Sequence, residues 1–283
     1  MINNIYKCYN RYKNERTGEK NMYQHHKESI ENLIHYFEEN EGVIAVILGG
    51  SVAKGLERYD SDIDALVVVT DVVYRDLEKE NPLSECISGK CTYEGGYFDI
   101  KYCTKDYLKA VAQGGSEPSR NAYLGAKCLY TKDESLLTLL ESIPVYQKSE
   151  KLEKQLSFYS TVMLNDHYFW GAAKEDIYLK TRTASDIVLF GLRLILAENE
   201  VLFPCQKSLL KTVEALEKKP EQIVKKAEIF LKTLEDEKKD DFIQSVLNFC
   251  TFERPKDYTT VLSTYVNDNE LWWYKDRPVL AEW

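Results

Sequence analysis

Two aspartates one residue apart, Asp62 and Asp64, follow closely on a glycine-serine turn in the stretch VILGGSVAKGLERYDSDID (46–64). Side chains alternate along a strand, so both carboxylates should point to one face while Ile63 points into the core. Like charges held side by side repel unless a cation sits between them. Oxygen ligands of this kind suit Mg²⁺, which keeps part of its shell for water and substrate phosphates. Asp99 in YFDIK has a similar setting: Phe98 and Ile100 are apolar, while Tyr97, Asp99 and Lys101 share the opposite face. A neighbouring strand would bring Asp99 beside the pair. Three carboxylates around two magnesium ions about 3.5–4 Å apart are a standard arrangement for phosphoryl and nucleotidyl transfer. Asp60 precedes the strand and is assigned to ordering the turn rather than to the metal.

Gly49, Gly50 and Ser51 lie between a strand-like run and a short helical stretch, VAKGLE. Without a Cβ in the way, backbone N–H groups there can approach an anion closely. Ser51 adds a hydroxyl donor and is expected to cap the helix, so the turn suits phosphate. An ordinary tight strand-to-helix turn explains the same triplet equally well. The spacing from Gly50 to Gly55 matches half of a P-loop, but Leu56 and Glu57 follow where lysine and a hydroxyl are needed. A glutamate at that place would repel the phosphates. This is not a P-loop.

The elements that must position these groups are legible in outline. MYQHHKESIENLIHYFEEN reads as a helix with Ile30, Leu33, Ile34 and Phe37 at helical spacing. VIAVILGG (43–50), DIDALVVVT (62–70), GYFDIKYCT (96–104) and AKCLYT (126–131) read as strands. DVVYRDLEKEN (71–81), TKDYLKAVAQGG (104–115) and DESLLTLLES read as helices between or after them. After about residue 146 strand signals fade, and long amphipathic segments follow at 148–173, 175–199, 206–218, 221–235 and 238–250. The pattern predicts an α/β (α+β) domain with a small mixed sheet over 22–145, then an all-α helical bundle over 146–283. Residues 1–21 carry no apolar period and read as a tail.

Composition limits the setting. Of 283 residues 44% are hydrophobic and 29% charged, which suits a globular fold. No apolar run approaches the roughly 20 residues of a membrane helix, and the N-terminal stretch lacks the apolar core of a secretory signal. Seven dispersed cysteines with no Cys-x-x-Cys pair fit reduced thiols, and a cytoplasmic location is expected. The net charge of −9 argues against gripping long nucleic acid, where phosphate neutralisation demands a basic surface.

GGSVAKG, then DSDID, then a strand aspartate in YFDIK resembles the polymerase-β-like nucleotidyltransferase superfamily over roughly residues 43–103. The resemblance implies that Gly50, Ser51 and the adjacent backbone hold the triphosphate of ATP or another NTP. It also implies that Asp62 and Asp64 bind two Mg²⁺ ions, with Asp99 completing the catalytic one. A hydroxyl would then attack the α-phosphorus in line and release pyrophosphate. Bound Mg²⁺ lowers a carboxylate's proton affinity, so Asp99 is read first as ligand and second as general base.

An α/β domain followed by a helical bundle further resembles the two-domain aminoglycoside and lincosamide nucleotidyltransferases, whose acceptor is a small molecule held between the domains. The implied acceptor is an antibiotic-like molecule, and the assembly a monomer or homodimer. Asp166 and Trp170, four apart on one helical segment, could line an acceptor site. Lys207, near a helix start after Pro204, and Arg182 are the expected phosphate contacts. The competing reading leaves Lys207 as surface lysine and Asp166 with Trp170 as a solvated charge beside a core aromatic. The aromatic end, with Trp272, Trp273 and Tyr274, is expected to dock on the body or on a second subunit. Two other functions fit the same residues: nucleotidyl transfer to a protein or tRNA, and an inactive nucleotide-binding module.

Overall fold

The computed structural model of the chain describes residues 22–80 and 82–274. The segment read as an N-terminal tail lies outside them, as does the chain beyond Tyr274. The described chain divides into two compact units, one running to Gly115 and resuming over Ala122–Pro144, the other made of Ser116–Asn121 with the chain from Val145.

In the first unit the apolar period of the opening segment forms α1 (Gln24–Glu38), which buries Ile30, Leu33, Ile34 and Phe37. The β-branched runs form β1 (Val43–Leu48) and β2 (Ile63–Val69), with a single helical turn, α2 (Gly50–Lys54), between them. Next come α3 (Asp71–Glu80), β3 (Ser84–Ser88), β4 (Tyr97–Cys103) and α4 (Lys105–Gly114). Thr104 caps α4 by accepting from the Tyr107 N–H, as Ser/Thr caps do. Among the described residues these strands and β5 (Lys127–Thr131) make one mixed sheet, ordered β3-β4-β2-β1-β5. Only β2 and β4 run parallel; the other pairs are antiparallel. The sheet is covered on both faces. Ile63, Val67, Phe98 and Ile100 pack with α1 on one side, and Ile47, Val68 and Cys103 pack with Leu108, Leu136 and Leu140 on the other.

β3 has no counterpart among the strands expected from sequence. Its five residues, SECIS, have no apolar alternation of their own; pairing with β4 makes them a strand. α5 (Glu117–Asn121) was likewise not expected, and it belongs to the helical unit. α6 (Ser135–Ser142) closes the first unit before Pro144.

The helical unit contains α7 (Lys151–Leu164), α8 (Trp170–Ala173), α9 (Ile177–Glu198), α10 (Gln206–Glu214), α11 (Ile223–Thr233), α12 (Asp236–Phe249) and α13 (Tyr258–Tyr265). The amphipathic segment expected over 148–173 is interrupted by a π-helical turn at Asn165–Phe169. α13 was not foreseen, though Asp257 caps it at the Thr260 N–H, 2.8 Å away, in a recognisable start signal. Phe158, Ile187, Leu194, Phe230 and Phe242 form the core. Gly191 lets α9 lie close to α12: a Cβ there would stand 2.8 Å from the Phe242 ring. Trp273 and Tyr274, expected to dock on the body or on a second subunit, lie in a short 3₁₀ turn and are exposed on this chain at 68% and 81%.

Polar residues of α5 are buried in this unit. Glu117 accepts from Lys154 at 3.0 Å and from the Phe203 N–H at 3.3 Å, with Arg193 3.6 Å away. Arg193 is itself stacked on Phe158 and Phe203, 4.2 and 4.6 Å from their ring centres. Asn121 donates to the Leu202 carbonyl at 3.2 Å. Removing one member of such a buried set leaves its partners' charge uncompensated, at about 3–5 kcal/mol. Glu117→Ala should therefore lower unfolding free energy by about that amount in urea titration, whereas Glu28→Ala on the exposed side of α1 should change it by less than about 0.5 kcal/mol.

Candidate active site

The parallel pairing of β2 with β4 aligns Asp64 directly with Asp99. Ile63, Phe98 and Ile100 are fully buried on the opposite face, so alternation holds Asp64 and Asp99 on one side of the sheet. Asp62, one residue before β2, joins them. One carboxylate oxygen from each of the three lies within 4.8 Å of the others, and all three residues are half-buried. The convergence expected from the sequence is present.

The glycine turn abuts this cluster. β1 and β2 are antiparallel with Leu48 opposite Ala65, so the chain leaving β1 emerges beside Asp64. The Gly49 N–H donates to the Asp64 carbonyl at 2.9 Å. Gly50 has φ +62°, and a Cβ built there would lie 1.7 Å from Asp64 Oδ2. Glycine is required twice, by the left-handed backbone and by the carboxylate that occupies the side-chain space. Gly49 occupies the cap position of α2 in place of Ser51, which stands within the helix half-buried; the extended backbone of Gly49 already supplies the entry into the turn. Asp60 lies outside the cluster and pairs with Arg58 at 3.1 Å, within a turn where Ser61 Oγ accepts from the Arg58 N–H.

Residues 30–111 match the family model described as a nucleotidyltransferase domain. The chain carries a nucleotidyltransferase domain. It is a transferase of the nucleotidyltransferase type. Among solved structures, a nucleotidyltransferase-like protein from Exiguobacterium sibiricum aligns at 10% identity over 89% of this chain and 81% of that one, with a TM-score of 0.46. Spectinomycin adenyltransferase from Enterococcus faecialis, crystallised with ATP and spectinomycin, aligns at 15% identity over 89% and 99% of the two chains, with a TM-score of 0.31. No curated protein sequence matches the chain significantly.

The donor set of the nucleotidyltransferase domain fits a hard divalent cation. It is all oxygen, it carries negative charge that repels itself without a cation, and it is half-open to water and substrate. Side chains not singled out from sequence support it. Tyr97 donates its hydroxyl to Asp62 Oδ2 at 2.9 Å, and that interaction holds the phenol above its ordinary pKa range. The Ser61 carbonyl, just before Asp62, accepts from Tyr93 Oη at 2.5 Å and from His26 Nε2 at 3.1 Å. Alternation put Tyr97 on the face of Asp99, which was a usable signal. Tyr93 and His26 lie 32 and 35 residues from Ser61, and nothing local announces them.

The remaining residues picked from sequence all lie in the helical unit. Asp166 forms an ion pair with Lys239 and lies 3.1 Å from His167 Nδ1. Trp170 is 6% exposed, packs against Phe230 and donates its indole N–H to Asp236 at 2.6 Å. The expected shared face exists, since Lys239 meets both residues, but it turns the indole into the core. Lys207 is exposed on α10, and Arg182 is exposed on α9, paired with Asp186 at 2.8 Å.

Gly50→Ala should displace Asp64 and weaken divalent-ion binding by about 10–100-fold, as measured by calorimetry. Its cost to stability should be at least about 1–2 kcal/mol, the cost of the left-handed backbone alone. A second prediction concerns His26. Burial, aided by the neighbouring His25, holds its imidazole below its ordinary pKa of 6.5, against the opposing pull of the Ser61 carbonyl and Glu57. A carbonyl only accepts, so Nε2 carries the proton, and among the described residues buried Nδ1 has no acceptor to which a second proton could be donated. The unfolded chain thus binds a proton more readily than the folded one. Stability from this group is complete above about pH 6.5 and declines as pH falls below it. Melting temperature followed from pH 7.5 to 5 should fall less steeply in His26→Gln than in the unaltered protein.

Proposed function

We propose that the protein transfers a nucleoside monophosphate, AMP from ATP, to a hydroxyl of a small molecule such as an aminoglycoside-like or lincosamide-like antibiotic. The observation that carries this reading is the meeting of Asp62, Asp64 and Asp99 beside a turn whose glycine is shaped around Asp64. In this reading the three aspartates hold the divalent ions, two of them as in related enzymes. Ser51 and the backbone of the turn bind the triphosphate. Ions held there would supply charge neutralisation for the attacking and leaving oxygens. The acceptor oxygen forms a bond to the α-phosphorus, the bond to the β-phosphate breaks, and pyrophosphate departs with the electron pair. The acceptor's proton passes to solvent or to Asp99.

A net charge of −9 argues against a long polyanionic acceptor and is compatible with a cationic small one. Among the described residues no helix is long and apolar enough to cross a membrane.

Pyrophosphate release should be measured with each NTP, Mg²⁺ and panels of aminoglycosides, lincosamides, tRNA and proteins. Release with ATP that rises with a small-molecule acceptor is the expected result. Asp62→Asn and Asp99→Asn should each reduce it more than about 100-fold, since even outer-shell losses cost 10–100-fold. Stimulation by tRNA or protein alone would move the acceptor to a macromolecule, and silence with every NTP would overturn the proposal.

A further inference from the structure

Asp62 differs from its two partners in the cluster in one respect: it lies before the strand, so the β2–β4 ladder does not hold it. Asp64 and Asp99 face each other across that ladder, while the pairing begins at Ile63. What fixes Asp62 is a set of side chains from elsewhere in the unit. The Ser61 carbonyl is gripped by Tyr93 Oη and His26 Nε2 at 2.5 and 3.1 Å, which sets the peptide leading into Asp62. The carboxylate itself is held at Oδ2 by Tyr97 Oη at 2.9 Å.

We propose that Tyr97 is a positioning residue for the cation site, orienting the Asp62 carboxylate through its hydroxyl. The inference rests on the reading of Asp62, Asp64 and Asp99 as cation ligands. A bond to Oδ2 leaves Oδ1 open, and a carboxylate oxygen with two lone pairs can accept a phenol and still face a cation. Tyr97 stands two residues before Asp99 on β4, so its side chain and that of Asp99 leave the sheet on the same face. The strand that supplies one ligand thereby orients another. Hydrogen-bond partners of this kind hold a ligand in its binding orientation before the cation arrives, and their loss weakens affinity without removing a ligand atom.

Tyr102 provides an internal comparison. It is on the same strand, and its hydroxyl donates to Glu85 on the edge strand β3, apart from the cluster. Removing either hydroxyl deletes a phenol–carboxylate bond from β4, but only one of these bonds touches a proposed ligand.

The test is calorimetric titration of the full chain with Mn²⁺ alone, after metal removal, for the unaltered protein and for Tyr97→Phe, Tyr102→Phe and Asp62→Asn. Tyr97→Phe should weaken Mn²⁺ binding about tenfold, the lower edge of what outer-shell losses cost. Its melting temperature without metal should match that of Tyr102→Phe, whose Mn²⁺ affinity stays at the unaltered value. In turnover, Tyr97→Phe should raise the half-saturating Mg²⁺ concentration while kcat at saturating Mg²⁺ is retained. Unchanged Mn²⁺ affinity in Tyr97→Phe, alongside a loss in Asp62→Asn, overturns the role of Tyr97 and leaves the cation site standing. Equal weakening in Tyr97→Phe and Tyr102→Phe also overturns it. Absence of Mn²⁺ binding in the unaltered protein overturns the cation site and this inference together.

Discussion

Three carboxylates whose oxygens crowd within 4.8 Å of one another are the constraint around which the first unit is organised. At about 4 Å each pair of unit charges repels by roughly 1 kcal/mol in water, and by about 4 kcal/mol at the effective dielectric of a protein surface. Free side chains would swing apart. Here Asp64 and Asp99 cannot, because their strand neighbours Ile63, Phe98 and Ile100 are fully buried and the parallel ladder sets their register. Hydrophobic burial on one face of the sheet thus maintains electrostatic tension on the other, of the kind that a bound divalent cation would relieve.

The same register explains the glycines. Because β1 runs antiparallel to β2 and ends opposite Ala65, the turn after it arrives beside Asp64. At Gly50 the carboxylate fills the space that any side chain would need. The turn and the carboxylates read as two motifs in the sequence but form one packed object, in which neither can change without the other. Tyr93, His26 and Tyr97 extend that object to Asp62, the carboxylate the ladder does not reach.

The helical unit uses charge differently. Glu117, Lys154 and Arg193 are each almost fully buried, and their mutual contacts with the Phe203 N–H tie a short segment, 116–121, into a core of helices that begins some thirty residues later in the chain. Buried ion pairs contribute little net stability over apolar packing, yet they tolerate few alternative arrangements. Asp166 and Trp170 belong to this structural economy as well, through Lys239 and Asp236.

The amino-acid sequence alone determined the strands that carry Asp64 and Asp99, the helix α1, the helical character after Pro144 and the identity of the aspartate trio. These signals are local: alternation about Ile63 and about Phe98, helical spacing of Ile30, Leu33 and Phe37, and glycines where a chain must turn tightly. Only the tertiary structure decided the rest. β3 becomes a strand because β4 offers it a ladder, and α5 joins the helical unit because Glu117 meets Lys154 and Arg193 there. Trp170 faces inward because Phe230 awaits it, and Ser61 is gripped from residues 26 and 93. Each of these depends on a partner distant along the chain, and short-range periodicity carries no information about which distant residue will be near.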